Sequence, residues 1–98
     1  MAPTVVLKCT LALALLLLVG PLARACAVCH GQQGLAVTPE TPHLAGQPER
    51  YLGEQLKAYR NGKRQHEVMA VIAKPLSDED IRDLAAWFAS LKVEVKEP

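Results

Sequence analysis

The chain has 98 residues, with eleven Lys and Arg against ten Asp and Glu for a formal net charge of +1, and three cysteines. That length holds at most one domain, and the near-balanced charge lacks the basic surplus that nucleic-acid binding draws on. No Ser, Cys and His constellation or paired carboxylate site suggests a hydrolase.

The first 25 residues differ from the rest. Met1 to Lys8 carries a single side-chain charge, Lys8, and Leu11 to Val19 is an uninterrupted apolar run. Its length and composition are those of a signal-peptide h-region, and it falls below the roughly 20 residues a membrane span needs. Ala23-Arg24-Ala25 has the form of a cleavage site. Residues 1–25 are therefore expected to be a signal peptide or an uncleaved N-terminal membrane anchor that directs export, with 26–98 as the working domain. If the segment is kept, Pro21 suits a first helical turn and Leu22 to His30 continue as helix. Cleavage after Ala25 would remove Lys8 and Arg24 and turn the formal charge to about −1. Cys9 lies in this segment, so only Cys26 and Cys29 remain and no structural disulfide is expected.

Cys26-Ala27-Val28-Cys29-His30 follows at once. Two thiols three residues apart share one face of a helix, a spacing that reaches two vinyl groups on one porphyrin edge, and the adjacent imidazole is a good iron donor. Cys-x-x-Cys-His is the c-type haem attachment signature. Zinc or a redox dithiol would use the same thiols. However, zinc needs further ligands, with only His43, His66, carboxylates and Cys9 to supply them. A dithiol motif belongs beside a strand, and almost nothing after Cys29 reads as one.

Gly31 to Gly46, with Pro39 and Pro42, reads as loop. Pro48 opens a helix running to about Asn61, with Leu52, Leu56 and Tyr59 on one stripe and Gly62 as its stop. Lys57, Arg60, Lys63 and Arg64 gather at its carboxyl end, where they complement the helix dipole and face solvent; a docking patch for an acidic redox partner is the rival reading. His66 to Lys74 fits a helical turn or a buried strand equally. Ser77 is the N-cap of a last helix whose first turn is acidic. Its apolar stripe comprises Ile81, Leu84, Ala85, Phe88 and Leu91, with Trp87 packing beside it. The whole is expected to be all-α.

The sixth iron position decides what such a haem does: a strong protein ligand makes an electron carrier, an open position a ligand-binding protein. Met69, the only methionine beyond the initiator, is the leading candidate. A neutral thioether favours ferrous iron and raises the potential. His66 and His43 are rivals that would give bis-histidine ligation.

The order Cys-x-x-Cys-His-Gly, Pro42-His43-Leu44-Ala45-Gly46-Gln47, Tyr51-Leu52, Gln55-Leu56, Met69, Leu76-Ser77-Asp78-Glu79-Asp80-Ile81 and Leu84-Ala85-Ala86-Trp87-Phe88 resembles the small class I bacterial cytochromes c of the c553 and c4 type. The resemblance runs from Cys26 to about Leu91. It implies a class I cytochrome c fold, about three to five short helices wrapped around one haem c held by Cys26 and Cys29. Iron would be ligated by His30 and Met69, and the Pro42 carbonyl would accept from the ligand histidine. It further implies a periplasmic single-electron carrier of the respiratory chain. Its partners would be a quinol-oxidising complex and a terminal oxidase or reductase, or a dehydrogenase of which it is the haem subunit.

Overall fold

The computed structural model describes residues 20–96. The apolar run and Cys9 lie outside the described residues. Among the described residues four helices follow in order: α1, described over 20–30; α2, Glu49–Asn61; α3, Glu67–Ala73; and α4, Asp78–Ser90. No strand occurs among the described residues.

Each boundary has a local cause. Pro48 takes φ −56° and ψ 132°, outside the helix, and its carbonyl accepts from the Leu52 N–H at 3.0 Å to close the first turn of α2. Gly62, at φ +85°, ends that helix in the left-handed conformation that a side chain disfavours. Ser77 and Asp80 form a reciprocal capping box at the start of α4. The Asp80 N–H donates to Ser77 Oγ and the Ser77 N–H to Asp80 Oδ2, both at 3.0 Å.

The segment from His66 to Lys74, undecided between helix and strand from its residues, is helical. His66 is extended at φ −157° and accepts the Met69 N–H, so it serves as the N-cap of α3. Its seven residues are too few to hold a helix unaided, and packing against α2 supplies the rest.

The core is built from Leu52 of α2, Ala73 of α3, Leu76, and Ile81, Leu84, Ala85 and Phe88 of α4. Leu22, Ala23 and Cys26 of α1 pack against it, as do Leu44, Leu56, Tyr59, Trp87 and Leu91. The expected stripes of α2 and α4 are thus the buried faces. The loop between α1 and α2 is tied down at both ends. The Leu44 and Ala45 N–H groups donate to the Gly34 carbonyl at 2.7 and 3.1 Å, and the Gly46 N–H to that of Phe88 at 2.9 Å.

Arg60 departs from the solvent-facing role its place in the last turn suggests. Its side chain turns back toward the entry of α4, donating to the Leu76 carbonyl at 3.0 Å and to Asp78 Oδ1 at 2.6 Å. Asp78, whose position suggests only a capping function, is half of an ion pair joining α2 to α4.

Candidate functional site

The last turn of α1 presents Cys26, Cys29 and His30 together. Cys26 is half-buried and Cys29 exposed. Burial pushes the Cys26 thiol above its ordinary pKa, and the neighbouring Cys29 adds to the effect. Cys26 faces the core and Cys29 lies one turn on, so the pair forms one strip on the helix surface.

His30 is buried, with 8% of its surface exposed. Its Nδ1 lies 2.9 Å from the Pro42 carbonyl oxygen, twelve residues downstream. A carbonyl oxygen can only accept, so Nδ1 carries the proton and donates. That fixes the tautomer and leaves the Nε2 lone pair free for a metal. The tethered loop between Gly34 and Gly46 is what brings Pro42 to this point.

Met69 sits on α3, half-buried, with its backbone N–H donating to His66 Nδ1 at 3.3 Å. Three residues of this short helix carry apolar side chains into the open: Val68, Val71 and Ile72 are 54, 71 and 39% exposed. Leu35, in the loop after α1, is 45% exposed. A chain this small gains from covering such surface, and a large apolar group with two thioether attachment points fits both the bare side chains and the donor set.

The two other histidines considered for the sixth iron position are engaged elsewhere. His43 Nδ1 accepts the Ala36 N–H at 2.8 Å and so braces the loop that carries Pro42. His66 caps α3. Both are exposed. Among the described residues no three His, Cys, Asp or Glu side chains converge, so a zinc centre has no ligand set there. The bracing roles of His43 and His66 leave little trace in sequence. For His66 the available signal is its place just ahead of a short apolar run.

A helical frame with a Cys-x-x-Cys-His turn at the end of its first helix defines a domain that carries covalent haem c through Cys26 and Cys29. Residues 22–92 match the family model described as Cytochrome c, and the chain belongs to that family. Cytochrome c4 of Pseudomonas aeruginosa is 45% identical over 73 residues, which are 74% of this chain and 36% of that protein. Cytochrome c-554(548) of Halomonas halodenitrificans is 44% identical over 68 residues, 66% of this chain and 82% of that one. The solved structure of Acidithiobacillus ferrooxidans cytochrome c4 superposes with a TM-score of 0.65 at 40% identity, over 68% of this chain and 38% of the other. The chain thus spans about a third of the cytochrome c4 proteins it matches and most of the c-554(548) protein. It is a monohaem cytochrome c domain of an electron-carrier family. No described helix is long and apolar enough to cross a membrane.

Proposed function

We propose that this domain is a periplasmic carrier of single electrons, and that His30 and Met69 would ligate its haem iron. The observation that carries the reading is the 2.9 Å contact between His30 Nδ1 and the Pro42 carbonyl. It is the orienting bond a ligating imidazole requires, and it raises the donor strength of Nε2. The haem supplies one-electron ferric–ferrous chemistry when bound.

The protein's own contribution is to hold that centre still. Cys26 and Cys29 would fix its position, His30 cannot rotate without breaking its bond to Pro42, and Met69 would offer a neutral sulfur that favours the reduced state. Val68, Val71, Ile72 and Leu35 provide exposed apolar surface on which a bound haem would pack away from water.

The signal-peptide character of the apolar run of residues 11–19 supports the periplasmic placement. For partners, a dehydrogenase is the favoured electron donor. A Stutzerimonas stutzeri relative, 41% identical over 69 residues, is named a thiosulfate dehydrogenase electron acceptor. A quinol-oxidising complex is the other candidate donor, and a terminal oxidase or reductase the acceptor.

Matured protein, with haem attached, tests the ligand set. The oxidised form is expected to show the weak charge-transfer band of an iron–thioether bond, and Met69→Ala to abolish it. Carbon monoxide should bind the reduced protein slowly at neutral pH and rapidly after Met69→Ala. A band that survives the substitution, or rapid binding by the unmodified protein, would refute Met69 as ligand and favour an open or histidine-ligated site.

A further inference from the structure

Met69 is carried by the least self-sufficient helix of the fold. Seven residues make fewer than two turns, and the first N–H groups of any helix lack partners within it. In α3 one of those N–H groups belongs to Met69 itself, and its acceptor is His66 Nδ1 at 3.3 Å. The His66 carbonyl also accepts the Ala70 N–H at 2.9 Å, so one residue closes the first turn with both its backbone and its ring.

The imidazole is held from α2. Tyr59 meets it edge-on, with ring centroids 6.4 Å apart and planes at 78°. The Arg64 guanidinium carbon lies 4.7 Å from the centre of the same Tyr59 ring, and Arg64 Nη1 donates to Gln55 Oε1 at 2.8 Å. A stack of Gln55, Arg64, Tyr59 and His66 therefore runs from the body of α2 to the backbone of Met69. Histidine is not among the favoured N-cap residues, and this support explains how it serves here.

We propose that His66 is a positioning residue for Met69, holding the Met69 backbone through its ring so that the sulfur is presented in one place. The inference rests on the reading of Met69 as an iron ligand. Its consequence is that the properties of the haem iron would depend on a side chain that acts through the Met69 backbone.

The test uses the matured protein and three readouts: the reduction potential, the iron–thioether charge-transfer band, and hydrogen exchange at the Met69 amide. His66→Ala is expected to speed exchange at that amide roughly five- to tenfold, the equivalent of a lost cap, to lower the potential and to weaken the band. His66→Asn, which supplies a good cap oxygen at the same place, should restore all three. Arg64→Met, an exposed change that leaves the core intact, should shift them the same way by less and keeps the test decisive should His66→Ala fold poorly. A variant with a reduced melting temperature but unchanged potential and band would overturn the proposal, as would failure of Asn to rescue. Met69→Ala serves as the reference. If the band survives that change, the ligand assignment itself fails; if it is abolished while the His66 and Arg64 variants keep potential and band unchanged, only the positioning role does.

Discussion

Arg60 and Asp78 meet at 2.6 Å across the junction between the end of α2 and the start of α4, and the same guanidinium also satisfies the Leu76 carbonyl. The Arg60 side chain is 28% exposed and that of Asp78 68%, so the charge pair is screened by water while the bond to the carbonyl is partly sheltered. The carbonyl bond should therefore matter more. Arg60→Met is expected to cost about 1–2 kcal/mol through the unpaired Leu76 carbonyl, and Asp78→Asn distinctly less. Denaturant unfolding of the two variants and of the double variant checks this. Equal losses in the single variants would show that the ion pair, not the carbonyl, carries the link.

The same pair sets a pH dependence. The Arg60 guanidinium beside Asp78 holds its carboxyl below the usual carboxylate range. A depressed folded pKa favours the ionised native form, so the contribution is complete above the ordinary Asp value and is lost as pH falls through the folded one. The melting temperature of the native protein should exceed that of Asp78→Asn at neutral pH, and the gap should close on acidification below about pH 4. A gap that widens in acid would reverse the sign.

Two glycines separate conformational strain from steric exclusion. Gly34 and Gly62 both have positive φ, +72° and +85°. A Cβ at Gly34 would come within 2.8 Å of the Ala45 nitrogen and 3.1 Å of Phe88 Cδ1, while one at Gly62 would meet nothing within 4 Å. Gly62→Ala should cost about 1 kcal/mol, the left-handed penalty alone. Gly34→Ala adds a clash with the backbone of the loop that carries Pro42, so it should cost about 2–4 kcal/mol and also disturb the His30 environment. Thermal melts, together with the His30 ring resonances of the haem-loaded protein, distinguish the two. Similar losses and unchanged His30 signals in both variants would contradict the coupling between loop and histidine.

Legibility in the sequence followed the strength of the local signals. α2 and α4 are readable because each joins an apolar stripe to a recognisable stop or cap: Gly62 for one, Ser77 with Asp80 for the other. α3 is not, because Val68, Met69, Val71 and Ile72 satisfy a helical and an extended period over so short a run, and its cap is a histidine. Arg60 misleads for a related reason. A cation in a last turn satisfies the helix dipole wherever its tip points, and its partners lie sixteen and eighteen residues away. The attachment of haem is written in five consecutive residues. The contact of His30 with Pro42 could be anticipated only through resemblance to a family, since nothing local in a Pro-containing loop says where its carbonyls point.

The capping box at α4 gives a prediction of modest size with a clear geometric basis. Ser77→Ala removes the oxygen that accepts the Asp80 N–H at 3.0 Å, and the expected loss is about 1 kcal/mol. Ser77→Asp keeps an acceptor and should recover most of it. Because Leu76 and Ile81 on either side of the cap are buried core residues, fraying here reaches the core, and the Ile81 amide should exchange faster in Ser77→Ala. Exchange at that amide unchanged from the parent protein would mean that the α4 entry is held by Arg60 alone.

Leu22 and Ala23 pack against the core from the first described turns of α1, ahead of the haem cysteines, and the family match begins at Leu22. Burial of a half-covered Leu side chain is worth about 1–2 kcal/mol, a sizeable share of the stability of a domain this small. A haem-loaded protein beginning at Cys26 should therefore melt several degrees below one beginning at Gly20, and Leu22→Ala in the longer form should reproduce much of that difference. Equal melting temperatures for the two forms would show that the contacts of Leu22 and Ala23 add nothing to the folded state, and that α1 is held by Cys26 and the bond of His30 to Pro42 alone.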